Sequence, residues 1–305
     1  MSAAIEIRNL TKRYGSLTAV DSVSLTVDCG ELFGLIGPDG AGKSTIYRIL
    51  ATLLAPDSGE VSMAGLDPRR DRLKLRTVIG YMPERFSLYP DLTVMENLRF
   101  FASLFGVDLK QNYDLVEPVF RQLERFPNRL AGKLSGGMKQ KLALSCALIH
   151  RPKVLLLDEP TTGVDAVSRS EFWGLLGELR QKGITILVST SYMDEATLCG
   201  RVAMIDHGRI LVTGTPARLV GDIGNGLYSA RSSDMFGLLG RLRAMDDVTD
   251  CYTFGATLHL MTTPRFDAAA AERQLRSEGF ADVVIAPAWG NVEDLFIKLT
   301  DRDGK

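Results

Sequence analysis

The chain has few of the residues that hold metal ions or form disulfides. Its 305 residues include four cysteines and three histidines, and none of them has the paired spacing of a metal site. We therefore expect the cysteines to be buried, reduced thiols rather than a disulfide framework. We expect structural roles for the histidines. The seven residues are Cys29, Cys146, Cys199, Cys251, His150, His207 and His259.

Long apolar runs and an excess of charge of either sign are also missing. No apolar segment approaches the roughly 18 residues of a membrane span, and the N-terminal sequence lacks the apolar core of a signal peptide. The formal net charge of −1 provides no general attraction to nucleic acid or to an anionic membrane. The composition is typical of globular proteins, with 45% hydrophobic and 24% charged residues. We therefore expect a cytoplasmic protein without a nucleic-acid partner.

The sequence does contain the pattern of a phosphate-binding loop. Residues 37–45 read GPDGAGKST, which places a glycine, four residues and then Gly-Lys-Ser in the required order. An apolar run precedes this loop and a helical pattern at 44–54 follows it, so phosphate would meet a helix N-terminus. Lys43 can reach the β- and γ-phosphates of ATP, and the Ser44 hydroxyl can ligate Mg²⁺. The predicted nucleotide-binding residues of the loop are Gly37, Pro38, Asp39, Gly40, Ala41, Gly42, Lys43, Ser44 and Thr45.

Two adjacent acids follow a second apolar strand. Residues 154–158 read VLLLD, and Glu159 comes next. A continuous apolar run is typical of a strand buried on both faces, and the acid at its end supplies the second Mg²⁺ anchor in proteins with a phosphate loop. We predict Asp158 as a metal ligand and Glu159 as the general base that polarises water. The alternative is a strand capped by two surface acids.

Residues 134–142 read LSGGMKQKL, which resembles the signature motif of ABC ATPases. The phosphate loop, this signature, DEPT at 158–161 and GVD at 163–165 follow one another in the order of that family. The resemblance implies a head-to-tail dimer with two ATP molecules at its interface. Each ATP then lies between the phosphate loop of one subunit and the signature of the other. A helix N-terminus can bind a γ-phosphate. Here it offers the Ser135 side chain and the amides of Gly136 and Gly137.

The same resemblance assigns two further residues. Tyr14, in KRYG, matches the aromatic residue that stacks on adenine. Asp165 matches an aspartate that contacts the dimer partner. For Tyr14 the alternative is a tyrosine that only packs at the end of a strand.

Two positions depart from the pattern of the family. Glu84 stands where the family usually has a glutamine, whose neutral carbonyl contacts Mg²⁺ and the attacking water. Ser191 stands where it usually has a histidine that contacts the γ-phosphate. We treat both as candidate catalytic residues, and Glu84 also as a candidate metal ligand. Because losing a transition-state contact commonly costs about 10²–10³ in rate, we expect slow turnover by a site built only from this chain.

The order of the predicted elements indicates two domains. Strands alternating with helices predict an α/β fold for residues 1–220. The resemblance makes this a P-loop ABC ATPase core with an antiparallel β subdomain and a helical subdomain. Residues 221–305 predict a small α+β domain of the ferredoxin-like type. Among single elements, we expect a strand at 77–81 and a helix at 113–126.

The resemblance also implies a function. VEDLFIKLT at 292–300 and YMPERFSLYPDLTVMENL at 81–98 resemble ATPase subunits of bacterial multidrug and antibiotic exporters. They predict a dimeric ATPase at the inner face of the cell membrane that energises separate permease subunits, with Phe86 and Tyr89 in the docking surface. The dimer partner is a second copy or another ABC ATPase. The alternatives are a poorly hydrolysing regulatory subunit and a soluble ABC ATPase that acts on ribosomes or DNA.

Overall fold

The structure is a computed structural model that describes residues 3–85, 87–110, 112–221, 223 and 226–300. The chain divides into two compact units, Met1–Pro216 and Ala217–Lys305. This division comes slightly before the boundary at 220 that the sequence suggests. Phe86, one of the two aromatic residues assigned to docking, lies outside the described residues.

A mostly parallel sheet forms the centre of the first unit. Its strands have the order β5-β6-β7-β3-β8-β9, and only the pair β8 and β9 is antiparallel. Every residue of β3 and β6 is buried, as expected for central strands of a parallel sheet covered on both faces. The strands are β3 Leu32–Ile36, β5 Ile79–Met82, β6 Val154–Asp158, β7 Thr185–Thr190, β8 Arg201–Asp206 and β9 Arg209–Gly214.

An antiparallel sheet of order β2-β1-β4 forms the β subdomain. Its strands are β1 Ala3–Tyr14, β2 Leu17–Asp28 and β4 Ser58–Met63. One buried hydrophobic cluster joins this sheet to the parallel sheet and to the helix after the phosphate loop. Phe33 and Tyr47 are among its largest fully buried side chains. This shared core fixes the loop between the two sheets.

Helices cover the parallel sheet and form the helical subdomain. The helix α3 begins with a capping box, in which Thr93 accepts from the Glu96 N–H and the Glu96 carboxylate accepts from Thr93. The helices of the first unit are α1 Lys43–Leu50, α2 Arg72–Val78, α3 Val94–Leu104, α4 Tyr113–Phe120, α5 Gly136–Leu148 and α6 Ala166–Gln181, with 3₁₀ turns at Ala131–Lys133 and Met193–Leu198. A short helix, α7 Pro216–Gly221, spans the division between the units.

Four local expectations were wrong. The helix predicted at 44–54 ends at Leu50. The helix predicted at 113–126 ends at Phe120, because the Leu123 N–H then bonds the Phe120 carbonyl in a tighter i→i−3 turn. The strand predicted at 77–81 begins at Ile79, because α2 precedes it. This helix buries only Leu75 and so has no apolar periodicity to reveal it. Cys29 is exposed, since it lies in the turn after β2 and not in the core.

The second unit has its own sheet and its own core. Its strands have the order β11-β12-β10-β13, and all neighbours are antiparallel. With the chain order βαββαβ-α, this is a ferredoxin-like arrangement. A separate buried cluster, including Leu238, Leu260 and Leu275, fills the space between the sheet and two helices. The elements are β10 Leu227–Arg231, α8 Met235–Arg243, β11 Val248–Phe254, β12 Thr257–Thr262, α9 Ala268–Ser277, β13 Val284–Pro287 and α10 Val292–Thr300.

Candidate functional site

Two glycines let the loop between β3 and α1 pass close to neighbouring backbone. A Cβ on Gly37 would lie 2.1 Å from the carbonyl oxygen of Ile205. Gly42 has φ of 104°, and a Cβ on it would lie 2.3 Å from the carbonyl oxygen of Ala19. Gly42 also caps α1 without a side chain, so the first N–H groups of the helix remain available to an anion.

The Lys43 ammonium lies inside the loop. It donates to the carbonyl oxygens of Gly37 at 2.6 Å and of Pro38 at 2.9 Å. It also forms an ion pair with Glu159 Oε1 at 3.0 Å, and both side chains are buried. Because a buried charge is costly unless it is paired, Lys43 and Glu159 neutralise each other. A phosphate that takes Lys43 must therefore separate it from Glu159.

Asp158, at the end of β6, accepts hydrogen bonds from two hydroxyl groups. Ser189 Oγ donates to Asp158 Oδ1 at 2.7 Å, and Ser44 Oγ donates to the same oxygen at 3.3 Å. Burial raises the pKa of the Asp158 carboxyl above its usual value, and the nearby charges of Glu84 and Glu159 raise it further. A cation would relieve both effects, since it stabilises the ionised carboxylate.

Ser44 and Asp158 therefore offer a hydroxyl and a carboxylate oxygen side by side. Mg²⁺ is commonly bound by one or two protein oxygens together with nucleotide phosphates, rather than by an all-protein cage. Across the described ranges, no group of three or more His, Cys, Asp and Glu residues could hold a metal ion by itself. The donor set of this site fits a metal that arrives with a nucleotide.

Glu159 is held in an uncommon backbone conformation, with φ of 50°. Its N–H donates to Ser189 Oγ at 2.9 Å. Its Oε2 accepts from the Thr162 hydroxyl at 3.1 Å, and from the N–H and hydroxyl of Ser191 at 3.2 and 3.4 Å. The structure thus brings Glu159 and Ser191 together, as the sequence-based assignment of both to one site requires.

A cleft of about 490 Å³ opens over the loop. Tyr14, at the end of β1, lies at the cleft with 43% of its surface exposed, and the Lys12 ammonium lies 5.9 Å from the centre of its ring. Glu84, on the loop after β5, is exposed and also lines the cleft. The predicted site residues that line it are Tyr14, Asp39, Gly40, Gly42, Lys43, Ser44, Thr45, Glu84 and Glu159.

Some predicted residues do not line this cleft. Ala41, although part of the loop, is buried. The signature residues lie elsewhere: Ser135 caps α5 and accepts from the Met138 N–H at 3.4 Å. Gly136 is exposed. The residues that line the cleft in the described part of the chain include none of positions 135–137 or 165.

The signature helix instead packs against the helix that Asp165 begins. A Cβ on Gly137 would lie 2.6 Å from Ser168 Oγ. Asp165 caps α6 by accepting from the Ser168 N–H at 3.0 Å, and the hydrogen bonds from Ser168 hold the pKa of its carboxyl below the usual value. The signature and Asp165 therefore lie close together, at the N-terminal ends of two packed helices.

The sequence analysis missed the polar residues at the end of β7. Ser189 contacts both Asp158 and Glu159, and Thr190 accepts the Gly37 N–H at its carbonyl oxygen, at 3.2 Å. A detectable signal was present, since the apolar run of β7 ends in the hydroxyl-rich STS of residues 189–191. In a parallel sheet such an ending lies at the same edge as Asp158.

Comparison with known proteins identifies the class. Residues 20–162 match the family described as ABC transporter. The chain is 41% identical, over 99% of its length, to the probable multidrug ABC transporter ATP-binding protein YbhF of Escherichia coli K12, but it spans only 53% of that protein. It is 38% identical to the Nod factor export ATP-binding protein I of Paraburkholderia xenovorans LB400, covering 99% of this chain and 98% of that one.

Solved structures also resemble this chain. A dimeric ATP-binding cassette in a post-hydrolysis state, bound to ADP and phosphate, superposes with a TM-score of 0.62 at 28% identity. The match covers 69% of this chain and 98% of the other. The chain belongs to the ABC transporter family, among its ATP-binding proteins. None of the helices in the described ranges combines the length and apolar character that crossing a bilayer requires.

Proposed function

We propose that this protein binds ATP with Mg²⁺ in the cleft over the phosphate loop and hydrolyses it to energise export across a membrane. The observation that supports this most directly is the convergence of Lys43, Ser44, Asp158 and Glu159 beside an uncapped helix N-terminus. A cation, a hydroxyl, a metal-binding carboxylate and a buried carboxylate are the groups that phosphoryl transfer to water needs.

In this proposal adenine stacks on Tyr14, and the N–H groups of the loop residues 37–45 hold the phosphates. Lys43 leaves Glu159 for the β- and γ-phosphates. Ser44 and Asp158 hold Mg²⁺, with Glu84 at the open side of the site. Mg²⁺, when bound, neutralises charge that develops on the phosphate oxygens. Glu159, released from Lys43 and still held by Ser191, accepts a hydrogen bond from the attacking water and takes its proton.

We infer that the working unit is a dimer. Ser135, Gly136, Gly137 and Asp165 lie on a surface apart from the cleft, so within one chain the signature does not reach a nucleotide bound there. A partner ATPase in head-to-tail orientation brings its signature to this nucleotide, and Ser135 to the γ-phosphate of the partner's nucleotide. The similar solved cassette is dimeric, which supports a dimer. The partner is a second copy or another ABC ATPase.

We place the protein at the inner face of the cell membrane, docked on separate permease subunits. The names of the relatives, a multidrug transporter protein and a Nod factor export protein, support an export role. An apolar groove of about 490 Å³ is the docking site that we assign. It lies between α2, β5, α3 and α5, and Leu73 and Leu104 on its rim are 79% and 63% exposed. Ser87 and Leu88, on the same loop as Glu84, also line it.

A cytoplasmic helix of the permease is the occupant that this groove fits. Apolar side chains that remain exposed at a groove rim are typical of a helix-binding site. Tyr89, 48% exposed and in edge contact with Phe100, lies on the same loop between α3 and the nucleotide cleft. Docking there would connect a movement of the permease to Glu84.

An affinity pull-down from native membranes with Mg-ATP, followed by phosphate-release measurement, tests the export proposal. The wild-type chain should recover permease subunits, and the recovered complex should hydrolyse ATP. Leu73→Asp with Leu104→Asp should abolish this recovery while the isolated variant still binds ATP. Leu198→Asp, at a residue 50% exposed and outside the groove, is the matched control and should recover the permease normally. Recovery of ribosomes instead of permease subunits would favour the soluble alternative.

A poorly hydrolysing subunit of a heteromeric pair is the second candidate, and Ser191 favours it. The Ser191 hydroxyl donates to Glu159 Oε2 at 3.4 Å, so this short side chain is hydrogen-bonded to the proposed general base. Ser191→His should therefore speed hydrolysis by the isolated chain, by about 10-fold or more, because a histidine adds a contact to the γ-phosphate. Single-turnover phosphate release measures this, and an unchanged or lower rate would show that Ser191 does not limit turnover.

A further inference from the structure

Glu195 is a buried carboxylate that the proposed reaction does not use directly. It lies in the 3₁₀ turn after β7, and only 2% of its surface is exposed. Its Oε1 accepts from the Thr161 hydroxyl at 2.8 Å, and its Oε2 accepts from the Thr190 hydroxyl at 2.5 Å. Each carboxylate oxygen thus has its own hydroxyl donor, and the two donors come from different segments of the chain.

The first of these segments leads to Ser191. Thr190 Oγ1 donates to Glu195 and accepts from the Tyr192 N–H at 3.0 Å. These two bonds shape the turn whose corner residue, Ser191, directs its N–H at Glu159. The Thr190 carbonyl oxygen also accepts from the Gly37 N–H, so the same turn is tied to the start of the phosphate loop.

The second segment follows the candidate general base. Thr161 comes two residues after Glu159, whose φ of 50° costs backbone energy that the surroundings must offset. Thr162, the next residue, donates to Glu159 Oε2. Fixing Thr161 therefore fixes the turn that carries both Glu159 and one of its hydrogen-bond donors.

The side of this network nearest α6 carries positive charge. Arg169 Nε lies 3.9 Å from Glu195 Oε1, and the Arg169 guanidinium lies 4.4 Å from the centre of the Tyr192 ring. Arg169 also faces Asp194 at 3.8 Å. A nearby cation and two hydroxyl donors offset the cost of burying the Glu195 carboxylate.

We propose that Glu195 is a positioning residue for ATP hydrolysis. It fixes the relative position of Glu159 and Ser191 by accepting hydrogen bonds from both Thr161 and Thr190. This inference rests on the proposed ATPase function. Glu195 acts through Glu159 and is not among the described residues that line the nucleotide cleft. Its loss lets the two segments move independently, and a displacement of about 1 Å at a reacting group can cost about 10²-fold in rate.

The test compares kcat and KM for ATP in the recovered complex. Glu195→Ala should lower kcat by about 10- to 100-fold, and Glu195→Gln should lower it less, because its amide oxygen still accepts one hydroxyl bond. KM and equilibrium ATP binding should stay within about twofold, because no nucleotide contact is lost. Asp194→Asn, at the adjacent exposed acid that also faces Arg169, is the control and should leave kcat unchanged.

Combination with Glu159→Gln separates positioning from a general loss of structure. Since Glu195 acts through the base, adding Glu195→Gln to Glu159→Gln should lower the residual rate no further. A further fall equal to that in the wild-type background would overturn the inference, as would an unchanged kcat in Glu195→Gln. If the wild-type complex itself releases no phosphate, the proposed ATPase function fails and this inference fails with it.

Discussion

Glu159→Gln is expected to lower ATP hydrolysis by about 10²–10⁴-fold, the usual contribution of a general base. The same change should tighten ATP binding. Lys43 is paired with Glu159 at 3.0 Å, and a phosphate that binds Lys43 must compete with that partner. A neutral amide leaves the buried ammonium without its counter-charge, so binding a phosphate becomes more favourable. We expect a Kd about tenfold lower, which corresponds to roughly 1.4 kcal/mol.

Rapid-quench phosphate release and equilibrium binding of a fluorescent ATP analogue measure the two effects separately. Glu178→Gln makes the same change of charge on the exposed side of α6 and should alter neither quantity. Weaker ATP binding by Glu159→Gln would show that the ion pair with Lys43 does not compete with phosphate. A rate close to that of wild type would remove Glu159 from the role of base.

Gly42→Ala is expected to lower the free energy of unfolding of the first unit by about 2–6 kcal/mol. A positive φ in a residue with a side chain costs about 1–3 kcal/mol, and forcing extra volume into a packed region costs about as much again. The Cβ would lie 2.3 Å from the carbonyl oxygen of Ala19, in β2, which is backbone and cannot rotate away. Displacement of the loop should also abolish ATP binding.

Gly40→Ala is the matched comparison. Gly40 also has a positive φ, 82°, but a Cβ there meets no atom within 4 Å. Its cost should be only the conformational one, about 1–3 kcal/mol. Urea unfolding followed by fluorescence of the buried Trp173 reports on the first unit, with Trp289 replaced by Phe in every variant. Equal losses of stability in the two alanine variants would contradict a specific role for the close approach to Ala19.

The chemistry of the site was readable from local sequence. The spacing of residues 37–45, an apolar strand ending in Asp158 and the Ser-Gly-Gly helix start at 135–137 specify residue types whose roles depend on their immediate neighbours. Helix caps and buried strands follow from the same short-range patterns. The signature helix and β6 therefore formed where the sequence predicted them.

The local patterns could not show which groups meet. Nothing in the spacing pairs Lys43 with Glu159, which lie 3.0 Å apart although β7 separates the two strands that they follow. Ser189 and Glu195 have no motif of their own. They enter the site only because β6 and β7 are parallel neighbours and their carboxyl ends reach the same edge. The short helix α2 also escaped detection, because it buries a single residue.

The sequence by itself determined the set of reactive groups and their order along the chain, because each depends on neighbours a few residues away. Only the tertiary structure decided that Glu159 is held by Lys43 on one side and by Ser191 on the other. These relations depend on strand order and helix packing, which bring together residues that are distant in sequence and leave no trace in local spacing.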